Sequence, residues 1–525
     1  MVQPNSSRPK IMIIGAGVAG LTFAIALRRQ LCYENFVIIE KADVVGGTWR
    51  ENRYPGSGCD TPIHYYSLST DLNPDWTSTH AFQPEIEAYW VRLKEKYGLS
   101  SYIAFGCECV TASWDLDAQL YHITTKDVKT GKQTVTTAHI LISGVGAFHV
   151  PKFPDIPGIK DFQGLSFHSS SWMNTELAGK RVAVIGNGSS AAQFIPEIAV
   201  TPKIHVTQFC RTPCWLRPNL RTLISPWQRW IFRHLPFALR VYRIYIYLKQ
   251  VSIYFSVFGS QATRDKSTKA VTRYILDNCP TKYHAHIVPD YSLGCKRTVI
   301  DTGYLACLHQ DNIKVNWDGI SSIVEHGVVT LKGEVLNFDT IIYATGFVTD
   351  SFPLPIRGKN KYIQEYYKSE GGPTAYLGVC TPGFPNFFIF SGAHTVTHSS
   401  HIFTIETHAN YIISLIKPII EGKLSSVDVT TEATDAYNTK LEDRLSDSVF
   451  VNCLSWFHPT PDSKVNAFPG THFLLWWWLR WPNWSHYQLV ERFSDSSRNG
   501  LAPSLRFGIW LVIISVASAS LMLSF

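Results

Sequence analysis

IMIIGAGVAGLTFAIALRRQLCYENFVIIE, residues 11–40, reads as strand, glycine turn, helix and strand. Ile11–Ile14 is an apolar run short enough for a buried strand, a helix follows to about Arg29, and Phe36–Glu40 is a second strand. Between them Gly15, Gly17 and Gly20 form G-x-G-x-x-G. The first glycine permits a tight turn, the second lets the backbone approach a pyrophosphate closely, and the third allows close helix–strand packing. The helix start directs amides at the phosphates. Glu40, twenty residues after Gly20, is placed to accept hydrogen bonds from a ribose. Residues 11–40 therefore predict a dinucleotide-binding unit.

Working outward, the same pattern recurs from Arg181: strand Val182–Ile185, turn Gly186–Ala191 and strand His205–Phe209. Gly186, Gly188 and Ala191 take the three small positions, but twenty residues after Ala191 stands Arg211 instead of an acid. A guanidinium suits a 2′-phosphate that an acid would repel, so this unit favours NADPH and leaves the first for FAD. The chain then reads as α/β, with two Rossmann-like dinucleotide-binding domains in series. A third apolar strand with a glycine turn, Asp339–Phe347, suggests that the chain returns to the first domain, making the second an insertion. The expected division is 1–150 for the first FAD part, 151–325 for NADPH, with a helical insertion at about 220–285, and 326–490 for the FAD return.

The 45% apolar and 17% charged content over 525 residues excludes general disorder. The net charge of +7 is spread along the chain, which argues against nucleic acid and suits a phosphate-rich cofactor or an anionic membrane face. Eleven cysteines without C-x2-C pairs speak against a disulfide framework. Cys59 has no sequence neighbour to make a redox pair, so a disulfide reductase is a poor reading. His394, His398 and His401 could share a helical face, yet lack a zinc motif; no metal is expected. Ile224–Phe258 is aromatic and basic, suiting a helical layer on the nucleotide domain or, more sharply, a membrane-facing or lid segment.

The C-terminal end differs in kind. Phe507–Phe525 carries no charge over nineteen residues. As a helix it would span about 28 Å, close to a bilayer's hydrocarbon core. Arg492, Arg498 and Arg506 precede it, as positive charge on the cytosolic side requires, and Trp476, Trp477, Trp478 and Trp481 would lie near headgroups. The N-terminus lacks an apolar signal core. The expectation is a single-pass C-terminal transmembrane anchor at 507–525, with the catalytic body in the cytosol.

Further segments carry a resemblance. Gly46-Gly47-Thr48-Trp49, Asn52, Tyr54-Pro55-Gly56 and Cys59-Asp60 look like the flavin-side segment of Baeyer–Villiger monooxygenases. Phe162-x-Gly164-x-x-x-His168-x-x-x-Trp172 is similar to that family's fingerprint, where N- and S-oxygenating relatives usually carry Tyr or Phe in place of Trp172. Met173 departs from the Pro or Asp of the pattern, which bears on the interdomain linker. The likeness continues through Cys210-Arg211-Thr212-Pro213, Gly294-Cys295-Lys296-Arg297, Ala344-Thr345-Gly346-Phe347, Phe384-Pro385-Asn386 and Ser455-Trp456, to about Leu489.

The resemblance implies that Arg297 is the catalytic arginine and Asp60 the acid that positions it. It places Gly15, Gly17, Gly20, Glu40, Gly47, Thr48, Trp49, Tyr54, Asp60 and Val110 on the FAD side. Gly186, Gly188, Ser189, Ser190, Gln193, Arg211, Thr212 and Lys296 fall on the NADPH side. It implies insertion of oxygen from O2 beside the carbonyl of an apolar ketone, as in natural-product tailoring. A fixed guanidinium answers to that chemistry, because negative charge develops on the transferred oxygen and on the attacked carbonyl. Two alternatives stay open: a heteroatom-oxygenating flavin monooxygenase, and a membrane-tethered flavoprotein that oxygenates nothing.

Overall fold

The computed structural model describes residues 8–349, 351–395, 400–455, 457–458 and 463–492. Ile11–Ile14 is buried throughout and forms the centre of a five-stranded parallel sheet. The order is Phe387–Ile389, Ile140–Ser143, Ile11–Ile14, Phe36–Glu40, Ile103–Phe105. Strands buried on both faces need helices above and below. Val18–Leu31 and His401–Ile420 supply one covering layer and pack together. Gly20 sits where that helix meets the sheet, and a Cβ there would lie 2.0 Å from the Gly15 carbonyl oxygen. An antiparallel sheet, Cys107–Asp115, Leu120–Asp127 and Gln133–Ala138 with Ile356–Arg357 on its edge, flanks the domain.

The second parallel sheet runs Ile313–Asn316, His205–Phe209, Arg181–Ile185, Thr340–Tyr343, Leu165–His168. Thr340–Tyr343 thus pairs with Arg181–Ile185 and Leu165–His168, which corrects the expectation that Asp339–Phe347 returns to the first domain. The second unit runs past residue 325. The strand that closes the first sheet is Phe387–Ile389, paired with Ile140–Ser143. An isolated apolar strand cannot declare which of two similar parallel sheets it joins, since either would bury it. The insertion forms three helices, Pro226–His234, Ala238–Phe258 and Gln261–Asn278.

Among the described residues no helix is long and apolar enough to cross a membrane. The stretch expected to do so, Phe507–Phe525, lies outside them. Against the reading of the cysteines, one bridge is present: Cys295 joins Cys453 across 158 residues, with Cα atoms 6.1 Å apart. Spacing gave no hint of it because the partners meet only through the tertiary fold.

Candidate active site

The first glycine turn and the Gly46-Gly47 turn face each other. Gly15 has φ +95 and Gly47 φ +54, both in the left-handed region. A Cβ on Gly17 would lie 3.4 Å from the Gly47 Cα, and one on Gly47 2.9 Å from the Gly17 Cα. Two bare backbones thus approach each other where the helix Val18–Leu31 begins. Glu40, at the end of the neighbouring strand, is tied to this turn: Ala16 N–H donates to Oε2 at 2.7 Å and Ala42 N–H to Oε1 at 2.9 Å. Thr48 and Trp49 start the short helix Thr48–Glu51, where Asn52 donates to the Thr48 Oγ1 at 3.1 Å. Trp49 is buried and its indole N–H donates to the Tyr66 hydroxyl. Val110 sits at a bulge between Cys109 and Thr111, in the strand that packs against Phe36–Glu40. The donors and glycines present therefore fit the pyrophosphate and ribose of FAD.

In the second unit Gly186 has φ +113, and a Cβ there would meet the Ala344 oxygen at 2.3 Å. Gly188 precedes the helix Ser189–Ala199 and has open space beside it, room for a phosphate. Asn187 donates to the Thr212 carbonyl at 2.7 Å, which fixes the Cys210–Pro213 turn against the glycine turn. Arg211 is exposed. Burial holds the Lys296 ammonium below the ordinary lysine range, and the positive charge of Arg211 acts in the same direction. The structure thus brings these two cations, far apart in sequence, to the mouth of one unit. An anion with several charges, such as the phosphates of NADPH, would relieve their repulsion.

Between the units, buried Tyr54 donates to Gln193 Oε1 at 2.9 Å. The Gln193 amide in turn donates to the Gly58 carbonyl at 3.1 Å and to Asp60 Oδ1 at 3.4 Å. The other Asp60 oxygen faces Arg297 Nη2 at 3.4 Å. Asp60 is largely covered while Arg297 stays half exposed, so the guanidinium is held on one side and open on the other. Cys59 is buried and its thiol is pushed up to about 12 by burial, so no redox thiolate competes here. The Cys295–Cys453 bridge fastens the segment that carries Lys296 and Arg297 to the 449–455 region.

The fingerprint residues act as packing. The Phe162 ring folds over Gly164, where a Cβ would stand 2.5 Å from it. His168 lies between Phe153 and Phe347, and its Nδ1 accepts the Ser170 N–H at 3.2 Å. Trp172 packs edge-on to Phe167 and against Phe194 of the second unit. Met173 is exposed. His394 donates its backbone N–H to Asn466, His401 shares a hydrogen bond with the Ser391 hydroxyl, and His398 lies outside the described residues. Among the described residues no cluster of three or more His, Cys, Asp or Glu is arranged to hold a metal.

Sequence reasoning missed two groups here and weighed a third, His401, only as a metal ligand. Arg217, on the strand Leu216–Pro218, is felt electrostatically by Asp60 and Arg297, and burial lowers its pKa. Arg221 stacks on Phe82 at 3.7 Å beside Gly58 and is also drawn to Asp60. His401 is near enough to Arg297 that the arginine, after burial, helps push its pKa down to about 4. The acid-free, arginine-bearing stretch after the Cys210–Pro213 turn is the signal that could have pointed to the first two.

Residues 13–81 match the NAD(P)-binding Rossmann-like domain and residues 110–257 the pyridine nucleotide-disulphide oxidoreductase domain. A Baeyer-Villiger monooxygenase of Pseudomonas aeruginosa is 34% identical over 473 residues, covering 88% of each chain. One of Streptomyces coelicolor is 32% identical over 479 residues, covering 88% of this chain and 89% of that one. The chain belongs to the Baeyer–Villiger monooxygenase family. An FAD-binding monooxygenase of Aspergillus niger, ktnD, is 31% identical over 486 residues, covering 89% of this chain and 79% of its own. Among solved structures, closed cyclohexanone monooxygenase matches with a TM-score of 0.81 at 24% identity, covering 92% of this chain and 99% of the other. A steroid monooxygenase bound to NADP matches at 0.79 and 24%, with the same coverage. At that identity the two structures speak for the shared fold.

Proposed function

We propose that this enzyme uses FAD and NADPH to convert an apolar ketone, O2 and a proton into an ester or lactone, water and NADP+. The observation that carries the reading is the Asp60–Arg297 pair, with Gln193 of the second unit bonded to Asp60 and the guanidinium open on one side. Bound FAD, reduced by NADPH, supplies the activated oxygen. Gly15, Gly17, Gly47 and Glu40 would hold its pyrophosphate and ribose, and Arg211, Thr212 and Lys296 would hold the second nucleotide. Arg297 places a positive charge beside the carbonyl oxygen that becomes negative as the ketone is attacked. Asp60 and Gln193 keep that charge in place, so no reorganisation is needed at the moment of reaction. Buried Tyr54 and Trp49 exclude water from the flavin side, which protects a reactive oxygen species from leaking away.

The substrate belongs, on this reading, among apolar natural-product ketones, supported by the fungal relative and by the apolar tail. The tail Phe507–Phe525 is a C-terminal anchor that leaves the catalytic body facing the cytosol; its nineteen uncharged residues and the preceding Arg492, Arg498 and Arg506 support this. Product mass tests the activity: one oxygen gained with loss of the ketone carbonyl supports it, and oxygenation of thioethers but of no ketone refutes it. Deleting Phe507–Phe525 should move active enzyme to the soluble fraction. Retention of the truncated enzyme in a membrane pellet washed with high salt, which strips peripheral electrostatic contacts, would refute the anchor.

A further inference from the structure

Helix Ala238–Phe258 is turned inside out relative to an ordinary surface helix. Its inner face carries a charge: Arg243 donates to the carbonyls of His64 and Ser67 and lies near half-buried Glu406. Its outer face is apolar. Phe237 at the N-cap, Val241, Ile244 and Leu248 recur at three- and four-residue steps, Phe255 follows seven residues on, and all are exposed, Phe237 by 73% and Leu248 by 59%. That spacing is one stripe of a helix. A chain that buries charge and exposes aliphatic side chains in register has a second apolar contact to make.

The stripe continues onto neighbouring elements. Trp227 and Trp230 of the preceding helix stack at 4.9 Å, with Trp227 64% exposed. On the other side Tyr65 joins the layers: its ring lies tilted against Tyr247 of the long helix at 6.2 Å and it shares a 3.0 Å hydrogen bond with His472 of the helix His472–Trp478. That short helix exposes Phe473 and Trp477, and Trp481 follows it with Arg480 above its ring at 4.3 Å. Indole rings beside guanidinium groups, bordering aliphatic side chains, are the composition of a membrane–water boundary.

Charge selects the occupant. From residue 219 to 264 there is no Asp or Glu; Arg243 faces inward, Arg221 stacks on Phe82 and Arg233 pairs with Asp75, while Arg229, Arg240, Lys249 and Arg264 add further positive charge, and residues 463–490 also lack acids and carry Arg480. Two copies docking through this face would set like charges together, whereas anionic headgroups would neutralise them. Thirty-three residues follow Arg492, the last nineteen uncharged. We propose that the face formed by Phe237–Phe255, Trp227, Trp230, Phe473, Trp477 and Trp481 lies in the headgroup boundary of an anionic bilayer, a monotopic contact separate from the tail. It rests on the proposed function only in that the tail brings the enzyme to a membrane. The segment beneath, Ile63–Leu68, begins three residues after Asp60, so the docked face would overlie the wall of the active site.

The test uses the full-length holoenzyme on phosphatidylcholine vesicles containing phosphatidylserine with brominated acyl chains, reading quenching of tryptophan emission. Replacing Trp227, Trp230, Trp477 and Trp481 by Phe should remove about half or more of the lipid-dependent quenching, with flavin absorbance unchanged. In the second variant, Val241→Asp with Leu248→Asp, the tryptophans stay and the quenching should fall similarly. Quenching equal to the parent in either variant overturns the proposal. So does a detergent-stable dimer that the aspartates split while no lipid quenching is seen, which would make the occupant a second copy. A tail that fails as an anchor shows instead as unchanged fractionation after its deletion, a result independent of the four-tryptophan comparison.

Discussion

Replacing Arg297 with Ala should separate the two halves of the reaction. The side chain is half exposed and its ion pair with Asp60 is 3.4 Å long, so the pair contributes little to folding, on the order of 0–1 kcal/mol for such a surface-type contact. The variant should fold and keep its flavin. Loss of one preorganised electrostatic contact to a developing oxyanion costs about 2.7–4 kcal/mol, a 100- to 1000-fold fall in turnover to ester. NADPH consumption should fall far less, because Arg211, Thr212 and Lys296 remain to position the coenzyme. Arg297→Lys should recover only part of the loss, since an ammonium lacks the planar fork that faces Asp60. The assay measures ester by gas chromatography and NADPH oxidation by absorbance in the same reaction. Ester formed per NADPH equal to the parent's would refute the assignment, and an equal collapse of both would place Arg297 in coenzyme binding instead.

Arg211→Ala should raise KM for NADPH about 10- to 100-fold and leave KM for NADH nearly unchanged, as steady-state kinetics with both coenzymes would show. Gly20→Ala should abolish flavin binding and soluble folding, because its Cβ would fall 2.0 Å from a backbone oxygen, whereas Gly188→Ala, with open space around it, should fold and lose only coenzyme affinity. Thermal stability should fall as pH drops from 6.5 towards 4. Burial lowers His64 to about 3, His394 to about 4 and His408 to about 3, so unfolding takes up protons in that window. Each histidine then contributes up to about 1.4 kcal/mol per pH unit, present above 6.5 and lost on acidification. Melting temperatures that do not change between pH 7 and 5 would contradict this.

Local rules carried much of this protein. The glycine turns at Gly15–Gly20 and Gly186–Ala191, with Glu40 and Arg211 after them, were readable because phosphate binding imposes a fixed order of strand, glycine and helix within thirty residues. Phe162 and Gly164 were named only through the family fingerprint, and that the ring folds onto the glycine came from the structure. The roles of Asp60 and Arg297 needed a family likeness, because 237 residues separate them and nothing in spacing alone pairs them.

Tertiary structure decided the rest. That Thr340–Tyr343 pairs between Arg181–Ile185 and Leu165–His168 could not be read from the strand's composition, which suits either sheet. The Cys295–Cys453 bridge, the approach of Arg217 and Arg221 to Asp60, and the position of His401 near Arg297 arise where distant segments meet. The sequence of Ala238–Phe258 marked it as aromatic, basic and helical, but both of its faces carry apolar residues. Only packing on Ile63–Leu68 determined which face turned inward, because Arg243 found its carbonyl acceptors there and left the aliphatic stripe outside.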